Sequence, residues 1–342
     1  MRLPALILCL ILAACARPVP PGVTELTYAT PYPPSHPFSK ADQRWMDFVE
    51  QESGGRLRIR PIWSGALLSS DMSMEELRHG VADIGLITPI YTRGGTHLLR
   101  IQTGFYSGAD SIESQVALYR CLERGVPQIT RELEGLKVLA VQGGLMPGVV
   151  TRAQPVESLA DLKGLRIRAP TELLPVLKGL GADPVNMPMG EVYSALAKGV
   201  IDGVIAPPDT FQALHLAEVA DYYYELRVPR GAYPARAIGQ ERWDALAPWQ
   251  RDLLDRSSAV WEQALATEIR ASEAVGRARG EGRIRYATPT PAEQAAFDEL
   301  YLRDGEANAR ALARYGIDGM SAYSLARSSL VERDRVECGV LS

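Results

Sequence analysis

Between residues 24 and 88 strand-like and helix-like stretches alternate, and no other feature constrains the fold so strongly. Glu25 to Thr30 is a short β-like run. From Phe38 to Ser53 apolar residues recur at helical spacing (Phe38, Ala41, Trp45, Phe48, Val49), and Gly54-Gly55 ends the run. Leu57 to Trp63 alternates apolar and polar residues as a half-buried strand does. Ser73 to His79 reads as a helix and Ala82 to Thr88 as a buried strand. The order β-α-β-α-β belongs to a parallel sheet covered by helices.

After a helix at Ser111–Arg124 and a strand at Leu136–Val141, a second such series begins. Leu165–Ala169, Asp183–Met187 and Val200–Ala206 read as strands, with helices at Glu172–Leu180 and Glu191–Lys198 between them. Two series predict two α/β lobes with a cleft between them. Trp249 to Arg279 then runs without a proline and with apolar residues at helical spacing. The average globular helix has about 11–12 residues, so a helix this long can cross both lobes. Arg283–Thr288 reads as one more strand and Pro291–Tyr315 as a C-terminal helix. Gly143 to Gly148 fits no phosphate-binding pattern and reads as a flexible crossing between lobes. Tyr222-Tyr223-Tyr224 reads as strand packing.

The N-terminus carries a different signal. Leu3 to Leu12 is apolar apart from Pro4 and Cys9, and is too short to span a bilayer. It matches the apolar core of a secretory signal. Leu12-Ala13-Ala14-Cys15 resembles a bacterial lipobox, and a proline-rich tether follows. The expectation is a signal over 1–14, a tether over 15–23 and lipid on Cys15, giving a membrane-anchored periplasmic lipoprotein. Of four cysteines, Cys121 and Cys338 remain in the folded part, where a disulfide and two free thiols are equally open.

Few chemistries fit this chain. Its net charge of −4, with Arg and Lys interleaved among Asp and Glu, argues against a nucleic-acid partner. His36, His79, His97 and His215 show no metal-ligand spacing, and the chain has no CxxC pair, nucleophile elbow or nucleotide-binding loop. The expectation is therefore no enzyme, no metal and no cofactor. One residue stands out. Arg166 and Arg168 share a face of the strand in "LKGLRIRAP", and Arg168 ends it. Ligands of open α/β sheets bind at the carboxyl ends of strands, so Arg168 is placed to meet an anion.

The stretch DLKGLRIRAPTELLPVLKGLGADPVNMPMGEVYSALAKGVIDGV, residues 161–204, resembles the solute-binding proteins of TRAP (tripartite ATP-independent periplasmic) transporters, the DctP-like family. Residues 54–86 and the "SHPF" at Ser35–Phe38 agree with the same family, and the resemblance spans most of 24 to about 320. It implies a two-lobed periplasmic-binding-protein fold of mixed sheets flanked by helices, with a long helix bridging both lobes. Lobe I would comprise 24–143 plus 234–273, and lobe II 144–233 plus 274–330. It implies capture of a small organic acid and its delivery to membrane permease subunits. A ligand-sensing receptor and an exported hydrolase are the rival readings.

By the same resemblance Arg168 pairs with the ligand's carboxylate, while Arg166 is solvated and Glu191 serves its helix. Many members carry an arginine where Gly148 stands here and an asparagine where Ala206 stands. Loss of both implies a less hydrophilic ligand, an apolar or aromatic monoacid or something larger, or else help to Arg168 from groups elsewhere. The expected cleft walls are Tyr32, Trp63, Thr88, Tyr91, Gln142, Met189, Ala206 and Phe211. The expected hinges lie near 142–148 and 224–229.

Overall fold

The structure, a computed structural model, describes residues 20–92, 94–106 and 108–340. The expected signal sequence and the expected lipid site Cys15 lie outside them. Apart from a small hairpin of Leu330–Glu332 and Arg335–Glu337, the strands, in chain order, are Thr24–Ala29 (β1), Leu57–Ile62 (β2), Ile84–Leu86 (β3), Leu136–Gln142 (β4), Gly148–Thr151 (β5) and Arg166–Arg168 (β6). Asp183–Val185 (β7), Gly203–Ala206 (β8), Tyr222–Tyr224 (β9), Tyr233–Gly239 (β10) and Arg285–Ala287 (β11) follow. They form two sheets, ordered β2-β1-β3-β10-β4 and β11-β9-β5-β8-β6-β7.

Each sheet mixes parallel and antiparallel pairs, and the antiparallel strands are the ones the sequence hid. β10 runs antiparallel to both β3 and β4. Its sequence, YPARAIG, holds a proline and an arginine, yet all seven residues are buried. β5 runs antiparallel between β8 and β9, so Gly148 begins a central strand instead of ending a flexible crossing. The chain leaves the first sheet between β4 and β5 and returns between β9 and β10. These two crossings coincide with the expected hinges.

The long helix spans Pro248–Gly280. Its first half packs on the helix Pro37–Glu52, where Trp45 and Trp261 stack at 3.6 Å and the Trp45 indole donates to Ser257 Oγ. Its far end meets the second lobe so closely that a Cβ on Gly276 would lie 2.1 Å from the Pro208 carbonyl oxygen. Only glycine leaves room there. A second helix, Pro291–Ala311, also touches both lobes. Phe297 and Tyr301 join the second lobe's core, but Ala309 and Leu312 join the first lobe's. The following helix, Gly319–Ser328, packs on the first lobe too, and Cys338 is disulfide-bonded to Cys121 there. The stretch from 309 onward therefore packs with the first lobe, whereas the sequence reading placed everything to 330 in the second.

Candidate functional site

Arg168 ends β6, and alternation along the strand turns Ile167 into the second lobe's core. Arg166 lies exposed and pairs with Asp183, whereas Arg168 is 3% exposed. Arg168 Nε donates to the Met187 carbonyl at 2.9 Å, and Nη2 donates to the Tyr91 hydroxyl of the first lobe. Those bonds leave Nη1 unused, and among the described residues no carboxylate forms an ion pair with this arginine. Glu172 lies near enough to feel the arginine's charge but makes no direct ion pair with it, and a buried cation without such a pair is costly. Its place explains it, because Arg168 lines a cavity of about 140 Å³ between the lobes.

The cavity sits beyond the carboxyl ends of β1, β3, β6 and β8. Tyr32, Thr88 and Tyr91 line it from the first lobe, and Met189, Ile205 and Pro207 from the second. Ile269 of the long helix closes one side. The structure thus gathers Arg168, Tyr32, Thr88, Tyr91 and Met189 of the expected set. It leaves the other four off the wall, each for a physical reason. Trp63 follows β2, the edge strand, and packs edge-on against Tyr28. Phe211 turns its ring onto Tyr223 and Tyr286 in the second lobe's core. Ala206 alternates with Ile205 along β8, so Ile205 meets the cavity and Ala206 faces the opposite core. Gln142 stands behind the wall, accepting from Arg236 and donating to the Tyr233 hydroxyl, and Tyr233 itself lines the cavity.

The two departures from the resembled pattern also change meaning. Position 206 faces away from the cavity, and a Cβ on Gly148 would lie 2.5 Å from the Tyr224 carbonyl oxygen. Neither is a vacant anchor position in this chain. A second cation comes from elsewhere: Arg230, on the crossing between β9 and β10, lines the cavity and donates to the Leu145 carbonyl. Its guanidinium lies over Gly144, where a Cβ would come within 2.5 Å of it. The glycine pair 143–144 was the available signal, since a bare backbone often marks a close approach.

Sequence reasoning also missed His36, Glu172 and Asp209, all on the wall. His36 Nδ1 accepts from the Phe38 amide at 3.2 Å, and its ring stacks on Tyr32 at 4.1 Å. Burial, helped by the nearby Arg236 charge, lowers its pKa to about 3, so the ring is neutral and Nε2 carries the proton. Burial holds the Tyr32 and Tyr233 phenols above their ordinary range. Burial likewise pushes Glu172 up and Asp209 up to about 7. The wall therefore offers two cations, neutral donors, two buried carboxyls and an apolar floor. Among the described residues, no three or more metal-ligating side chains cluster.

Comparisons with known proteins agree with this architecture. The family described as bacterial extracellular solute-binding protein, family 7 (DctP) matches residues 28–303. A solute-binding protein of Albidiferax ferrireducens is 28% identical over 63% of this chain, and the aligned region spans 64% of that relative. A TRAP solute-binding protein from Rhodoferax ferrireducens, solved with copurified benzoate, superposes with a TM-score of 0.77 at 26% identity, over 89% of this chain and 97% of that one. One from Bordetella bronchiseptica, solved with (R)- and (S)-mandelate, superposes with a TM-score of 0.76 at 22% identity, over 88% and 96%. The family is a class of solute-binding proteins, not of enzymes, and no described helix is long and apolar enough to cross a membrane. Because the match begins inside β1 and runs through both sheets to the helix Pro291–Ala311, this chain belongs to family 7 of the bacterial extracellular solute-binding proteins and has the fold of the TRAP receptors.

Proposed function

We propose that this chain is a TRAP solute receptor whose ligand is a small monocyclic carboxylate, held in the interlobe cavity with Arg168 as its anchor. The observation that carries the reading is Arg168 itself: buried, facing the cavity, and without a carboxylate partner among the described residues. Its planar fork donates two parallel bonds to two oxygens, and in a closed cleft such a pair is stronger than on a surface. The size agrees, since an apolar cavity of about 150 Å³ takes benzene and this one measures about 140 Å³. The ring would lie against Ile205, Ile269 and Met189. Benzoate and mandelate in two structural relatives fit the same scale.

Delivery to membrane permease subunits, lipid attachment at Cys15 and a periplasmic setting complete the proposal. The lobes would close on the ligand by bending at 142–148 and 224–233. Neither nucleic acid nor a resident cofactor enters it. The test is calorimetric titration of the folded domain with benzoate and mandelate, in wild type and Arg168→Met. Truncating one partner of a buried hydrogen-bonded charge pair costs about 2–5 kcal/mol. The variant is therefore expected to bind at least about thirtyfold more weakly. Equal binding by both proteins would reduce Arg168 to a structural residue.

A further inference from the structure

Glu172 and Asp209 are the features the carboxylate reading leaves unexplained. The cavity arginines act on both, Arg168 and Arg230 on Glu172 and Arg230 on Asp209, but that counter-charge role leaves part of their acceptor capacity unused. Both carboxyls line the cavity, at 9% and 6% exposure. Glu172 Oε1 accepts from the Thr103 hydroxyl at 2.8 Å, while Oε2 has no partner. Asp209 Oδ2 receives a long contact, 3.5 Å, from Ser272 Oγ, the Thr210 backbone amide also favours the ionised carboxyl, and Oδ1 has no hydrogen-bond partner. Both residues are packed closely at their backbone ends: a Cβ on Gly104 would lie 2.9 Å from Glu172 Cβ, and one on Gly276 would lie 2.7 Å from Asp209 Cα.

Buried acceptors left unpaired cost about 1–3 kcal/mol each. A plain carboxylate ligand would satisfy Arg168 and Arg230 and leave both acceptors bare in a closed cleft. A ligand with its own hydrogen-bond donor would satisfy them. We propose that the natural ligand is an acid that also bears an O–H or N–H donor, and that Glu172 and Asp209 accept from it. This deepens the carboxylate reading and rests on it. The cavity then reads its ligand at two kinds of point, cations for the acid and carboxylates for the donor. A site built to bond a hydroxyl discriminates strongly against the analogue that lacks it.

The experiment is calorimetric titration of wild-type protein with matched pairs in which a methyl replaces the donor at near-constant shape. The pairs are meta-hydroxybenzoate with meta-methylbenzoate, para-hydroxybenzoate with para-methylbenzoate, and mandelate with 2-phenylpropionate. The buffer is held near pH 8, above the titration of Asp209. In at least one pair the donor-bearing acid is expected to bind tighter by about tenfold or more. Glu172→Met or Asp209→Ala is expected to erase most of that preference, because the acceptor is then gone. Retained binding of the methyl partner shows that a variant is folded. Equal affinity within every wild-type pair overturns the inference, as does a preference that survives in both variants. If wild-type protein binds none of these acids, the carboxylate reading itself falls, which is a different result from equal binding within pairs.

Discussion

Arg236 and Asp42 show what a single buried pair does here. Both are fully buried, and Arg236 Nε meets Asp42 Oδ1 at 2.9 Å. Asp42 also accepts from the Trp261 indole and the Tyr28 hydroxyl, so it ties the first helix and the long helix to the sheet. Through Gln142 the same arginine steadies Tyr233 on the cavity wall. Removing one member of a buried pair strands the other, at about 3–5 kcal/mol. Asp42→Ala is expected to lose that much stability in urea unfolding, with ligand affinity measured separately in native buffer.

Asp209 makes the opposite contribution. Its carboxyl titrates at about 7 in the folded chain against 3.8 for an unburied aspartate, with burial as the main cause. The folded state therefore holds the proton more tightly than the unfolded state. Stability from this group is complete below about pH 4 and is lost as pH rises through 7. Asp209→Asn removes that slope. Relative to wild type, the unliganded variant is expected to gain stability from pH 5 to about pH 7 and to level off by pH 8, as thermal unfolding across that window will show. A constant difference across the window would refute it.

At the scale of elements, the long helix is the structural link between the lobes. It meets them by different means: stacked tryptophans at one end, a bare backbone contact at the other. Alanine normally gains about 1 kcal/mol over glycine inside a helix. At Gly276 the added methyl would strike the Pro208 carbonyl oxygen, which belongs to the backbone and cannot yield as a side chain can. Overpacking of that kind costs typically about 1–3 kcal/mol. Gly276→Ala is therefore expected to lower the melting temperature, whereas Val275→Ala, at an exposed neighbour, is expected to leave it nearly unchanged. A stabilised Gly276→Ala protein would show that this contact is loose.

At the scale of the whole molecule, the chain crosses between lobes repeatedly and its last segment returns to the first. The Cys121–Cys338 bond closes a loop with a sequence separation of 217 residues, which encloses the entire second lobe. Cross-linking a loop this long restricts the unfolded chain, and removing a native disulfide costs typically about 2–5 kcal/mol. Cys338→Ser is expected to lower the melting temperature while leaving ligand affinity unchanged, because the bond lies away from the cavity. A parallel loss of affinity would place the C-terminal segment in the closing motion instead.

Much of this architecture is legible in the sequence, because it rests on local periodicity. The β-α-β-α-β order of the first lobe, the second series and the long helix each appear as repeating apolar positions that depend on no distant partner. The place of Arg168 is legible too, since a strand's end and its face follow from counting residues. β10 and β5 are not. β10 carries a proline and an arginine, and β5 is four residues long beside a glycine-rich turn, so sheet neighbours supplied by distant segments decide both. The cavity wall divides the same way. Tyr32, Thr88, Tyr91 and Met189 follow strand ends that the sequence marks. Whether a side chain there faces the cavity or the core depends on edge position and register, which excluded Trp63, Ala206 and Phe211. Arg230 and Asp209 sit on segments with no periodicity, and Glu172 only opens a predicted helix. They became neighbours only because two lobes folded against one helix, and burial, a property of the assembled molecule, decides their charge.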